Sequence, residues 1–152
     1  FFSTSQRIWT IKTTKPTNFR CNYLLMYDIS PHKVIYNETF LSGKHRHTIR
    51  FLGAFDSRHP QLMNVTTNVW WGSTEETLMY ATQDYACGVV KVKSLNQGGG
   101  VHYELRVRNR SVECPDNQCK KYFRKATLKW HRKTIYSPEC QHMLVTKRSK
   151  LR

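Results

Sequence analysis

An eight-stranded antiparallel β-barrel with one helix after its last strand is what this sequence predicts, and three observations predict it. Short strand-like runs recur at intervals of about ten residues between turn residues. Helical periodicity is confined to one segment around Cys119. Five cysteines accompany three Asn-x-Ser/Thr sequons, a combination suited to an oxidising compartment. A chain of 152 residues suffices for one closed core. We therefore expect a single domain 1–152, with the barrel over about 7–108, the helix over about 117–126 and a C-terminal extension 127–152.

The elements follow in order. Arg7 to Lys15 reads as the first strand and stops at Lys15-Pro16-Thr17-Asn18; Phe19 to Ile29 is the second and stops at Ser30-Pro31. Val34 to Leu41 pairs with His47 to Phe55 across Ser42-Gly43-Lys44, a hairpin signal. Val65 to Trp71, Leu78 to Thr82 and Tyr85 to Lys93 come next, and Val101 to Arg108 follows Asn96-Gln97-Gly98-Gly99-Gly100 as the eighth. Asp116 or Asn117 then caps a helix from about Gln118 through Lys125, with Cys119, Tyr122 and Phe123 at helical spacing. An extended piece from Leu128 to Tyr136 leads to Ser137-Pro138-Glu139-Cys140. Eight antiparallel strands close into a barrel just wide enough for one small ligand.

Composition narrows the function. No run approaches the ~20 apolar residues of a membrane span, and Phe1 follows neither an initiator Met nor a leader, so a signal peptide is expected to have been removed. The sequons Asn37-Glu38-Thr39, Asn64-Val65-Thr66 and Asn109-Arg110-Ser111 mark a secreted, extracellular glycoprotein. Net charge is +15, from 25 Lys+Arg against 10 Asp+Glu, concentrated at Lys44 to Arg50, Arg106 to Arg110, Lys120 to Lys133 and Lys147 to Arg152. Such a surface is either a solubilising face or a contact for polyanions: heparan-type glycans, anionic membranes, nucleic acid or acidic proteins. No zinc-finger, RRM or helix-turn-helix pattern points to specific nucleic-acid binding.

No acid-base or nucleophilic constellation marks an enzyme, and no catalytic residue is assigned. Cys114 has no His or acidic residue spaced to activate it. Cys114-x4-Cys119 with His131 or His142 is too irregular for a zinc site. Neither a metal nor a covalent cofactor is expected.

The second half carries the most specific pattern. Asp84-Tyr85, Cys87 and Val89 are followed by Tyr103-Glu104-Leu105, Cys119-Lys120-Lys121-Tyr122-Phe123, Tyr136-Ser137 and Cys140, with Cys21 opening the second strand. In order and spacing this resembles the salivary lipocalins of ticks, over nearly the whole chain. The resemblance implies a lipocalin barrel with its helix packed outside and disulfides Cys21–Cys140 and Cys87–Cys119. It leaves Cys114 as a free thiol, a competitor for Cys87, or a partner for a cysteine upstream of Phe1.

One subset of that family sequesters histamine or serotonin, through a motif resembling Cys-Asp-[Val/Ile/Leu], Glu-Leu-[Trp/Tyr], Cys. This chain reads Cys87-Gly88-Val89, Glu104-Leu105-Arg106, Cys119. An ammonium in a low-dielectric cavity needs a carboxylate and ideally an aromatic face. Gly88 removes the first and Arg106 puts a like charge at the second, which disfavours an amine.

Alternation in the last strand separates Val101, Tyr103, Leu105 and Val107 from His102, Glu104, Arg106 and Arg108. Taken alone, the apolar set would line the cavity. The resemblance reverses this, because the helix covers that face, so Glu104 and Arg106 point inward, as do Gly88 and Val90 opposite Cys87. A glycan on Asn37 points outward, which turns Tyr36, Glu38 and Phe40 inward, with Ile49, Phe51 and Phe55 facing them. Trp9, Trp70 and Trp71 are barrel core or plug, and Trp71 joins the candidate lining.

The expected ligand is a hydrophobic molecule with one polar head: a sterol such as cholesterol, a fatty acid or an eicosanoid. The resemblance implies a salivary role against host inflammation or immunity. Within the family, the branch the chain is expected to resemble is the Japanin-like one, which acts on dendritic cells and carries cholesterol, although no motif here is diagnostic of that branch.

Overall fold

The computed structural model describes residues 1–67, 72–96 and 98–142. Eight strands follow in chain order: β1 (Ile8–Thr13), β2 (Phe19–Ile29), β3 (Lys33–Ser42), β4 (His45–Phe55), β5 (Leu62–Thr67), β6 (Thr74–Ala81), β7 (Cys87–Ser94) and β8 (Val101–Arg108). Each pairs antiparallel with the next, and β1 pairs with both β8 and β2, which closes the barrel. A short 3-10 turn at Asn109–Ser111 leads to α1 (Asn117–Ala126), and β9 (Lys133–Thr134) lies beside β1. Among the described residues no helix is long and apolar enough to cross a membrane.

Several expected boundaries move. The hairpin is tighter than expected, because Ser42 already pairs with His45 and only Gly43 and Lys44 turn, with Gly43 in the left-handed region. The sixth strand starts at Thr74 rather than Leu78, since the polar Thr74, Glu75 and Glu76 pair with Ser94, Lys93 and Val92. The seventh starts at Cys87, because Asp84 to Ala86 form the preceding turn, in which the Asp84 carboxylate accepts from the Ala86 amide and the Thr82 hydroxyl. The fifth strand covers Leu62–Thr67; the expected continuation to Trp71, and with it Trp70, lies outside the described residues. Of the extended piece 128–136, only Lys133–Thr134 pairs as a strand.

Two apolar bodies hold the fold. The larger lies outside the barrel, where α1 and the C-terminal segment cover Trp9, Tyr23, Cys87, Val89, Leu105 and Val107 with Val112, Cys119, Phe123 and Cys140. Asp116 caps the start of α1, its carboxylate accepting from the Cys119 amide at 2.9 Å. Cys119, bonded to Cys87, and Phe123 form its buried stripe. Trp9 belongs to this outer core; its indole N–H donates to Asn109 Oδ1 at 2.8 Å. The smaller body fills the closed end of the barrel with Ile8, Leu24, Val34, Tyr36, Met63 and Val65, against which Phe1 and Phe2 pack.

The second disulfide joins Cys21 to Cys140. Cys21 sits at φ +55°, inside a bulge between Arg20 and Tyr23, and donates its amide to Ile135. Cys114 is an exposed free thiol. The bond from Cys119 to Cys87 removes Cys119 from the zinc arrangement weighed above.

Candidate functional site

The strands enclose a main chamber of about 160 Å³. β1, β3 and β7 lead into connections at one end of the barrel, the mouth, where Lys15, Thr17 and Phe19 line the chamber. At the other end Phe1, Phe2, Phe55, Met63, Leu78 and Val90 enclose an inner chamber of about 80 Å³. Glu76 and Arg106 line both and form the partition.

Strand register explains which side chains meet. On the inner face of the β3–β4 ladder, Tyr36 opposes Phe51, Glu38 opposes Ile49 and Phe40 opposes His47. Tyr36 and Phe51 stack at 5.6 Å, and Phe40 is sandwiched between Phe19 at 4.3 Å and His47 at 5.4 Å. Across the barrel Gly88 opposes Arg106, Val90 opposes Glu104 and Val92 opposes His102. Tyr36, Glu38, Phe40, Ile49, Phe51, Glu104 and Arg106 therefore share the main chamber, while Phe55 and Val90 lie in the inner one. Trp71 lies outside the described residues. In β8 it is the polar face that points inward, since Leu105 and Val107 are spent on the outer core beneath α1.

Gly88 also faces inward. A Cβ there would come within 3.0 Å of the Phe1 ring and 3.1 Å of a Leu78 methyl. The missing side chain is what lets Phe1 close the barrel where the amine-binding motif would place a carboxylate.

The polar floor is a connected network. Arg106 contacts Glu76 at 2.7 Å and Glu104 at 2.8 Å, and its Nε donates to Glu104 at 2.9 Å. The other oxygen of Glu104 is 2.8 Å from His102 Nε2. Glu38 accepts from Asn22 at 2.7 Å. Burial by itself would raise Glu104, but Arg106 and then His102 outweigh it and hold its carboxyl well below the usual range. Burial would likewise lower Arg106, yet Glu76 and Glu104 keep it firmly protonated. Burial, and after it the Glu104 charge, push Glu38 upward although Asn22 donates to it. Burial and the Glu76 charge raise the Tyr36 phenol, leaving it neutral.

Sequence reasoning put His102 on the polar face of the last strand without assigning it to the site, and it missed Glu76, Asn22 and the Phe1–Phe2 closure. Glu76 and His102 were within reach, as every second residue of β6 and β8 shares the face of Arg106. Asn22 was not, because the bulge in β2 resets the alternation between Phe19 and Asn22, so that both point inward. The placement of Phe1 and Phe2 rests on contacts remote in sequence, such as Phe2 with Tyr36 at 5.9 Å.

A closed eight-stranded antiparallel barrel, an internal chamber and a helix flanking the wall define a lipocalin. The sequence profile described as tick histamine binding protein matches residues 5–142, and the chain belongs to that family of tick lipocalins. No curated protein matches it by sequence. Among solved structures it resembles the siderocalin Ex-FABP, at 10% identity and TM-score 0.68 over 88% of this chain and 93% of that one. Japanin from Rhipicephalus appendiculatus, bound to cholesterol, aligns at 10% identity and TM-score 0.60 over 79% and 85%. Bovine odorant binding protein aligns at 10% identity and TM-score 0.58 over 81% and 83%.

Proposed function

We propose that the chain is a secreted, non-enzymatic carrier that holds a hydrophobic small molecule in its barrel and thereby modulates host immune or inflammatory responses. The observation that carries this reading is the aromatic and aliphatic chamber with a small polar cluster at its floor, the usual composition of a ligand site. Family membership and the cholesterol-bound Japanin structure, of the same fold, support it. Sterols, fatty acids and eicosanoids are the candidates, and dendritic cells are a candidate target. The proposed contacts are Tyr36, Glu38, Phe40, Ile49, Phe51, Glu104 and Arg106, with Phe55, Gly88 and Val90 deeper in.

Size sharpens the proposal. The main chamber matches the ~150 Å³ cavity that accommodates benzene in an engineered protein core. A sterol or a long acyl chain is several times larger, so it must also fill the inner chamber by displacing Phe1 and Phe2, or extend through the mouth past Phe19 and Phe40. Native mass spectrometry of the deglycosylated protein, followed by organic extraction, tests the reading. A stoichiometric lipid or sterol is expected; a protein that is empty and ignores added sterols, fatty acids and eicosanoids overturns it.

A second reading, recognition of a host protein or polyanionic glycan, rests on the exposed His45, Arg46 and His47 beside the mouth and on the net charge of +15. Heparin affinity that collapses as salt rises would favour it. Histamine or serotonin binding remains disfavoured, because Arg106 already holds Glu76 and Glu104; titration of both amines checks this.

A further inference from the structure

α1 starts at the closed end of the barrel, where Cys119 is bonded to Cys87 at the head of β7, and the turn that follows the helix arrives at the mouth. There Lys133 pairs with Thr13, and its ammonium donates to the carbonyl of Thr17, one of the residues around the chamber, at 2.6 Å. Between Asn117 and Pro138 the chain carries seven Lys and Arg residues and no Asp or Glu. Lys121, Arg124, Lys125, Lys129 and Arg132 are exposed, and none of them forms an ion pair among the described residues, whose ion pairs lie inside the barrel.

The same turn exposes two large apolar side chains, Leu128 at 74% and Trp130 at 39%. One exposed leucine would need no explanation, but this turn is held in shape. Thr127 beneath it is buried; its hydroxyl donates to the Phe123 carbonyl at 2.6 Å and its carbonyl accepts from the Trp130 amide at 3.0 Å. Trp130 leans edge-on against Tyr103 at 5.6 Å, near the start of β8. Cations alone suit any polyanion. A sulfated glycan would pair with them and leave Leu128 and Trp130 in water. A bilayer takes both, its anionic headgroups meeting the cations and its interfacial layer receiving the leucine and the amphipathic indole.

We propose that this turn and the adjoining face of α1 are a docking surface for anionic phospholipid membranes, which sets the mouth of the barrel against the lipid. The docking stands apart from the cavity reading; its use, loading the chamber from the bilayer, rests on that reading.

The test is co-sedimentation of the whole chain with vesicles of phosphatidylcholine alone or with about one third phosphatidylserine, at ~0.15 M salt. Partitioning onto the phosphatidylserine vesicles is expected to be at least about tenfold stronger than onto phosphatidylcholine. Leu128→Ser combined with Trp130→Ser is expected to lose most of that binding while the salt needed to elute the protein from heparin stays the same. Lys125→Glu combined with Lys129→Glu is expected to lower both. Equal or absent binding to the two vesicles overturns the proposal, as does a Leu128 and Trp130 variant that binds them like the parent; heparin binding without vesicle binding assigns the surface to a glycan instead. Leu128→Ser alone alters only an exposed side chain, so the proposal stays open to refutation even if the change at Trp130 disturbs folding. Uptake of the neutral apolar fluorophore N-phenyl-1-naphthylamine, measured without vesicles, separates the two readings: a chain that docks but takes up neither it nor lipid overturns the cavity reading and leaves the docking standing.

Discussion

Replacing Arg106 by Met tests whether the polar floor is a balanced network. Arg106 is 4% exposed and touches two carboxylates at 2.7 and 2.8 Å. Met keeps much of the aliphatic stem and removes the cation, so Glu76 and Glu104 face each other in the barrel without compensation. Breaking a buried ion pair from one side costs about 3–5 kcal/mol, a large share of the ~5–15 kcal/mol that stabilises a typical domain. At a urea m-value of ~2 kcal/mol/M the midpoint should fall by about 1.5–2.5 M at neutral pH. The pH dependence gives a stricter test. Glu104 in the native protein has a depressed folded pKa, so its contribution is present above the ordinary carboxylate range and lost as pH falls toward the folded value. Without Arg106, burial dominates and the Glu104 carboxyl rises, so the variant gains stability as acid protonates it. The gap between the two proteins should therefore narrow from neutral pH toward pH ~4. Urea unfolding followed by tryptophan fluorescence at several pH values measures it. A loss below ~1 kcal/mol, or a gap independent of pH, would refute the network as described.

Gly88→Ala should destabilise the barrel by about 1–3 kcal/mol by pushing against Phe1 and Leu78, measured by urea midpoint; a neutral result would mean that Phe1 is not held there. Phe123→Ala should cost about 3–5 kcal/mol from the outer core while leaving fluorophore affinity in the folded protein unchanged, because Phe123 packs beneath α1 rather than in the chamber. Removing the Cys21–Cys140 bridge, whose ends are separated by 119 in sequence, should cost up to ~5 kcal/mol and removing Cys87–Cys119, separated by 32, up to ~4 kcal/mol in the chain-entropy view. Cys114→Ser should leave the melting temperature within about a degree, as the thiol is exposed and unbonded.

Local pattern and chemistry determined a good deal of this protein by themselves. Strand runs, turn residues and the Asp116 cap depend on backbone preferences that act over a few residues, and these gave eight strands and one helix close to where they lie. The period of two placed Tyr36, Glu38 and Phe40 on one face and Phe51 opposite them. Which face turns inward was not a local matter. In β8 the apolar Leu105 and Val107 look outward because α1 offers a second core there, so hydrophobicity alone chooses the wrong side. The bulge at Arg20 to Tyr23 breaks the alternation, bringing Asn22 and Leu24 to the chamber after Phe19, and it lies where the C-terminal segment crosses, with Cys21 donating its amide to Ile135. Closure was decided by the tertiary structure as well: Glu76 meets Arg106 with β7 between their strands, and Phe1 fills the space left by Gly88. Contacts such as these depend on register and packing between segments far apart in the chain, and a periodic pattern carries no information about them.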